Sequence, residues 1–261
     1  GHAAATTEVV LLRGERPAVV FRAFHGVMDA TGLKTWAADV FRVLRGEQPV
    51  GAPDTTADHT LVERLGRSGE ATRLLPTFSS PLGRGVPMRD EAKFAWSRRT
   101  ANAAPKATVA RIGEVLADAA AAPVRLMVPV DLRRHDPAIR STANLALPLF
   151  LTARPGQDWS QINAQMLMGL VEKRELGEMD NGGLGKFPAP VTRGVLRALH
   201  TVGARGGRNL VSAIVSHAGT IELADFTAPG FTASTVRALP VHTGMVPLSF
   251  VAVEVDGRTE I

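Results

Sequence analysis

A strand and a helix are expected to meet in one short stretch of the sequence, Phe21-Arg22-Ala23-Phe24-His25-Gly26-Val27-Met28-Asp29-Ala30-Thr31-Gly32. Before it, residues 8–12 and 18–24 are rich in Val, Leu and Phe, and Gly14-Glu15-Arg16-Pro17 supplies a turn between them. After it, apolar residues recur at steps of three and four: Leu33, Trp36, Ala37, Val40, Phe41 and Leu44. The pattern predicts a hairpin followed by an amphipathic helix that ends near Gly46.

His25 leaves the predicted strand just before the helix, where a side chain can project into a cleft. An imidazole in that place can act as a general base near neutral pH. The carboxylate of Asp29, four residues later, can order the turn or pair with an arginine elsewhere in the chain. Gly26, Ala30 and Gly32 are small enough for a tight turn and for close approach of a substrate. A structural, hydrogen-bonding histidine is the alternative interpretation of His25.

Strands and helices alternate along the rest of the chain. Helices are predicted over 106–121, from about Trp159, and over 191–200. Strands are predicted over 124–130, 145–151, 210–215, 232–239 and 248–255, and a turn over 180–183. This order is typical of a mixed α/β or α+β protein.

The composition excludes several classes of function. The 261 residues contain no cysteine, which rules out disulfides, a thiolate nucleophile, cysteine-ligated zinc and iron–sulfur clusters. The absence of cysteine fits a cytoplasmic location. No apolar run reaches the length of about 18 residues that a transmembrane helix needs. The net charge of +5 comes from dispersed arginines, and aromatic residues make up 5%, so nucleic-acid binding is not expected. The charge suits an anionic ligand, such as the phosphate of a cofactor arm or a carrier protein.

The stretch from Phe24 to Ala30 resembles the His-His-x-x-x-Asp-Gly signature of the chloramphenicol-acetyltransferase-like, or HxxxD, acyltransferases. This superfamily includes nonribosomal-peptide condensation domains, wax-ester synthases and polyketide-associated acyltransferases. His25 matches the second histidine, which the family uses in catalysis, and Asp29 matches the aspartate. The sequence departs from the signature at Phe24, in place of the first histidine, and at Ala30, in place of the glycine.

Three later segments resemble the same family in the same order. Residues 128–133 resemble a strand ending in "PvdlR", and residues 141–149 resemble the "gN…lpl" segment that follows it. Residues 215–219 resemble the late "SN-x-G" turn, with His217 in place of asparagine. The resemblance implies that Arg133 pairs with Asp29. It also implies that Gly26, Asn144 and Ser216 contact the substrate, although Asn144 could equally cap a strand.

The fold that the resemblance implies is a two-layer α/β sandwich in which helices cover one face of a mixed sheet. In the family, the histidine motif normally closes the first of two lobes, so the N-terminal lobe is expected to be largely missing. Residues 1–46 would be the end of that lobe, 47–105 a linker or crossover, and 106–261 the C-terminal lobe. A second chain could then supply the missing lobe.

The activity that the resemblance implies is acyl transfer. His25 would take a proton from an alcohol or amine, a small-molecule acceptor, as it attacks an acyl thioester. The thioester would be carried on coenzyme A or on the phosphopantetheine arm of an acyl or peptidyl carrier protein. Asp29, paired with Arg133, would hold the turn. No metal and no permanently bound cofactor are expected.

Other functions have weaker support in the sequence. No Gly-x-Ser-x-Gly motif of a serine hydrolase occurs. A metal site formed by His25 and Asp29, with His135 and Asp136, lacks the dense spacing of metal ligands. The main alternative is a catalytically degenerate condensation-like module that binds a carrier protein or a partner subunit, and Phe24 and Ala30 fit such decay. Retention of His25 and Asp29 together with Arg133 favours a working site.

Overall fold

In the computed structural model, the described residues are 5–66, 69–73, 75–83, 95–179, 187–239 and 246–261. The turn predicted over 180–183 lies outside them. Contacts divide the chain into two compact units. Unit 1 contains Gly1–Leu65, Asp131–Ala146 and Thr220–Val236, and unit 2 contains Gly66–Val130, Leu147–Gly219 and Arg237–Ile261.

Unit 1 begins with the predicted hairpin and helix. Strands β1 (Thr7–Leu12) and β2 (Ala18–Ala23) pair in antiparallel fashion, with Val9 opposite Phe21. Helix α1 (Ala30–Leu44) follows, and helix α2 (Asp58–Leu65) comes later. Helix α2 and the short strand β3 (Thr100–Ala101) both lie in the stretch predicted as a linker or crossover, 47–105. The domain boundaries at 46 and 105 stay a prediction.

Aromatic rings join the hairpin to helix α1. The ring of Phe21 meets Trp36 edge-on at a centroid distance of 5.3 Å and lies 6.1 Å from Phe41. Phe41 is buried and also contacts Phe226 and Phe231, at 6.0 and 5.7 Å. Trp36 and Phe41 lie on the apolar stripe that the sequence pattern predicts, and these contacts pack α1 against the hairpin.

Unit 2 is built on a six-stranded mixed sheet in the order β3-β8-β7-β6-β4-β5. Its strands after β3 are β4 (Val124–Asp131), β5 (Ala146–Ala153), β6 (Ala213–Ile221), β7 (Leu248–Val255) and β8 (Arg258–Glu260). Strands β4 and β6 are parallel, whereas β8 pairs with β7 and β3 in antiparallel fashion.

Helices α3 (Thr108–Ala120) and α4 (Trp159–Val171) cover one face of this sheet. Every second residue of β4 and β5 is buried, and the two strands pack with α3 and α4 in one core. Gly113 of α3 lies so close to the sheet that a Cβ would come 2.7 Å from Leu126 Cδ1. The mixed α/β sheet with helices on one face is therefore confirmed. Unit 2 also contains helix α5 (Ala189–Arg205).

The strand predicted over 232–239 is wrong, because no described residue there belongs to a strand. Exposed and half-buried side chains alternate along most of this segment, as they do in a strand. However, the backbone N–H of Ala233 donates to the hydroxyl of Thr227, not to a neighbouring strand. A β-prone sequence becomes a strand only where another strand can pair with it.

Candidate active site

His25 lies on a tight turn at the end of β2. The backbone N–H groups of Val27 and Met28 both donate to the carbonyl oxygen of Phe24, at 2.9 and 3.2 Å. The residue is exposed, and no described residue makes a hydrogen bond to its imidazole. The phenyl ring of Phe24 lies against Gly26, where a Cβ would come 2.6 Å from Phe24 Cε1. Because the imidazole is exposed and makes no hydrogen bond to a described residue, it is open to a substrate.

Asp29 is buried directly below this turn, with 5% of its side chain exposed. It is the N-cap of α1, and its Oδ1 accepts a hydrogen bond of 2.7 Å from the N–H of Gly32. Its Oδ2 accepts from the N–H of Leu145 at 2.8 Å and from Nη1 of Arg133 at 2.9 Å. With three donors on its two oxygens, Asp29 is held in place and is not free to take a proton from a substrate.

Arg133 follows β4 and uses all five of its N–H groups. Nη1 donates to Asp29 Oδ2 and to Asp131 Oδ1, the latter at 2.8 Å. Nε and Nη2 both donate to the carbonyl oxygen of Ser141, and Nη2 also donates to that of Ala143 at 2.7 Å. Burial lowers the pKa of Arg133, but the hydrogen bond to Asp29 and the charges of Asp29 and Asp131 outweigh burial and raise it overall. Arg133 is therefore a cation at any physiological pH.

The segment from Ser141 to Leu145 connects this ion pair to the histidine turn. The backbone N–H of Asn144 donates to the carbonyl oxygen of Val27 at 3.0 Å. Its side-chain Nδ2 donates to the carbonyl oxygen of His25 at 2.9 Å. Asn144, which the resemblance implies as a substrate contact, thus contacts the backbone of the turn.

Ser216 and His217 lie in unit 2, inside strand β6 and not in a turn as the resemblance implies. His217 Nε2 lies 3.3 Å from Glu254 Oε1 on the neighbouring strand, and its Nδ1 accepts from the N–H of Gly219. Gly219 has a φ of +73°, which lets the strand turn its N–H toward the imidazole. Contact of Ser216 and Gly26 with a substrate stays a prediction.

Sequence reasoning missed Asp131 and the two carbonyl groups that Arg133 binds. Asp131 lies two residues before Arg133, and its Oδ1 accepts the N–H as well as Nη1 of that arginine. The only sequence signal for this role is an aspartate directly before a short helical turn, Leu132–His135. Of the described residues, no three that could ligate a metal lie together.

Gly32→Ala is expected to destabilise the chain by about 1–3 kcal/mol, because helix α1 touches the connecting segment at this residue. The new Cβ would lie 2.2 Å from the carbonyl oxygen of Thr142. In an open helix the same change stabilises by up to about 1 kcal/mol. Gly194→Ala is the matched control, since no described atom lies within 4 Å of that Cβ. Urea unfolding measures both variants, and shifts in the same direction would contradict the tight contact at Gly32.

Comparisons with known proteins found similarity in structure but none in sequence. No family model matches the chain, and no curated protein matches it in sequence. The polyketide synthase associated protein 5 of Mycobacterium tuberculosis is similar, with a TM-score of 0.58 and 14% identity, over 100% of this chain and 72% of that one. TRI101 of F. graminearum, solved with coenzyme A and T-2 mycotoxin, has a TM-score of 0.54 and 12% identity, over 98% and 64%.

A condensation domain that mediates chain release from the enacyloxin polyketide synthase has a TM-score of 0.50 and 16% identity, over 97% of this chain and 54% of that one. Together with the mixed sheet, these likenesses show that the chain has the chloramphenicol-acetyltransferase-like fold. The chain spans less than two thirds of the length of the last two proteins. In the described part of the chain, no helix is both long and apolar enough to span a membrane.

Proposed function

We propose that this chain carries an acyltransferase site of the HxxxD type, which transfers an acyl group from a thioester to an alcohol or amine. The observation that carries the proposal is an exposed imidazole on a turn that is held in place by a buried ion pair. His25 is open to a substrate, while Asp29 and Arg133 beneath it are fully hydrogen-bonded. A general base needs this combination of an accessible nitrogen and a rigid support.

In the proposed reaction, the imidazole of His25 accepts the proton of the acceptor O–H or N–H. The oxygen or nitrogen forms a bond to the thioester carbonyl carbon, and the carbonyl becomes an oxyanion. The intermediate then collapses, the C–S bond breaks, and the sulfur leaves as a thiol with the proton from the imidazolium. Holding donor and acceptor together at His25 contributes to the rate through proximity.

Asp29 and Arg133 have a positioning role in this proposal. The carboxylate accepts three hydrogen bonds and the guanidinium donates five, so neither is free for proton transfer. Their function is to fix the start of α1 and the segment beside it, and hence the turn that carries His25.

The proposed donor is a thioester of coenzyme A or of carrier-protein phosphopantetheine, which share the same thiol arm. Support for coenzyme A comes from TRI101 of F. graminearum, whose structure was solved with that molecule. Support for a carrier protein comes from the condensation domain of a polyketide synthase.

We also propose that a second lobe covers the hairpin. Val9 and Leu11 lie on one face of β1 and are about half exposed, and their sheet has two strands among the described residues. A two-stranded sheet is at best marginally stable without further packing. A second lobe packed on this face of the hairpin would bury both side chains.

The test is an acyl-transfer assay on the purified chain and its His25→Ala variant. Acetyl-CoA, decanoyl-CoA and an acylated carrier protein are each incubated with a panel of small alcohols and amines. Thiol release and the mass of the product are measured. We expect an ester or amide product with the wild-type chain only. Equal product from both chains would contradict the proposal, and no product from the wild-type chain with any pair would favour a module that only binds a partner.

A further inference from the structure

Asn144 makes two hydrogen bonds to the backbone of the turn that carries His25, although it lies 119 residues away in sequence. The side-chain Nδ2 donates to the carbonyl oxygen of His25 at 2.9 Å, and the backbone N–H donates to that of Val27 at 3.0 Å. The side-chain Oδ1 accepts from the N–H of Ala146 at 3.4 Å, which agrees with this orientation of the amide. Both polar ends of the side chain are thus engaged by the protein.

The residues on both sides of Asn144 are anchored to the buried ion pair. Arg133 Nη2 donates to the carbonyl oxygen of Ala143, and the N–H of Leu145 donates to Asp29 Oδ2. Among the described residues, neither Asp29 nor Arg133 makes a hydrogen bond to His25. The hydrogen-bonded path from the ion pair to the histidine therefore passes through Asn144.

We infer that Asn144 is a positioning residue that fixes the distance between the His25 turn and the Asp29–Arg133 ion pair. This inference rests on the proposed function, because it assigns a role in placing the general base. It replaces the contact with substrate that the family resemblance implies for Asn144. A base that is misplaced by about 1 Å can lose about 100-fold in rate, so we expect the side-chain hydrogen bond to the His25 carbonyl to contribute to kcat.

Steady-state kinetics distinguish a positioning residue from a residue that contacts the substrate. Loss of a positioning bond lowers kcat and leaves KM nearly unchanged, whereas loss of a substrate contact raises KM. For Asn144→Ala we expect kcat to fall about 10-fold to 100-fold, with KM within about 2-fold of the wild-type value. Asn144→Asp keeps the shape but places a carboxylate oxygen against the His25 carbonyl, and we expect it to lower kcat at least as far.

Hydrogen exchange gives a second measurement that does not depend on activity. The N–H groups of Val27 and Met28 close the turn, and we expect both to exchange faster in the two Asn144 variants. The N–H of Leu145, which donates to Asp29, serves as the reference in the same molecule and is expected to change little. Asn102→Ala, at an exposed position, is the matched control for kcat, KM and exchange.

The two proposals fail in distinguishable ways. If His25→Ala keeps full activity, the proposed function is wrong, and the exchange of Val27 and Met28 still tests the hold of Asn144 on the turn. If His25→Ala is inactive but Asn144→Ala raises KM at constant kcat, Asn144 is a substrate contact and the inference is overturned. Unchanged exchange in both variants would overturn it as well. Lower kcat together with faster exchange at the turn supports it.

Discussion

His25→Ala is expected to lower kcat for acyl transfer about 100-fold to 10,000-fold, which is the usual contribution of a positioned general base. The imidazole is exposed and makes no hydrogen bond to a described residue, so its removal leaves the buried network intact. We therefore expect the urea midpoint of unfolding to stay close to that of the wild-type chain. Loss of activity without loss of stability would mark a residue that acts on the substrate.

His59→Ala is the matched control for this prediction. His59 belongs to the same unit and is exposed like His25, but it lies at the start of α2 beside Asp58. We expect its replacement to leave kcat unchanged. His25→Gln keeps a polar side chain without a proton-accepting nitrogen, and we expect it to be as inactive as His25→Ala. An active His25→Gln variant would contradict the role of His25 as a base.

Arg133→Met is expected to destabilise the chain by about 3–5 kcal/mol, because it leaves the carboxylate of Asp29 buried without its cation. The arginine side chain is only 11% exposed, and Asp29 is 5% exposed. The same change removes the donors that hold the carbonyl groups of Ser141 and Ala143. We expect a lower urea midpoint and, as the segment at Asn144 loosens, lower activity.

Arg64→Met provides the control for the loss of an arginine charge. Arg64 pairs with Asp136 at 2.8 Å in the same unit, but its side chain is 54% exposed. Exposed ion pairs contribute less than about 1 kcal/mol, so we expect a small change. The double variant Asp29→Asn, Arg133→Met removes the buried charge and should recover part of the lost stability. If Arg133→Met and Arg64→Met cost the same, the network around Asp29 does not stabilise the fold.

Local sequence patterns predicted much of this fold. The apolar repeat from Leu33 to Leu44 produced α1, and residues 248–255 are strand β7 as predicted. Helix α2 was missed because its eight residues follow a polar stretch that favours a loop. The strand predicted over 232–239 failed because pairing depends on a neighbour that the local pattern does not contain.

The candidate site, too, could be predicted from the sequence only in part. His25 and Asp29 could be selected from their place between a strand and a helix, because those features are local. The role of Asn144 could not, since its hydrogen bonds reach residues more than a hundred positions away. The function of Ser216 remains a prediction.

The sequence by itself determined that an apolar strand is followed by an amphipathic helix, and which residue types stand at that junction, because apolar periodicity acts over a few residues. The start of α1 at Ala30, with Asp29 as its N-cap, lies three residues before the first residue of the apolar repeat. Only the tertiary structure decided what surrounds them. The long connection from Arg133 to Leu145 returns beneath the turn. There its backbone N–H groups donate to Asp29 and Val27, and the side chain of Asn144 donates to the carbonyl oxygen of His25. Each donor in that region needs an acceptor once water is excluded, and folding alone determines which acceptor is within reach.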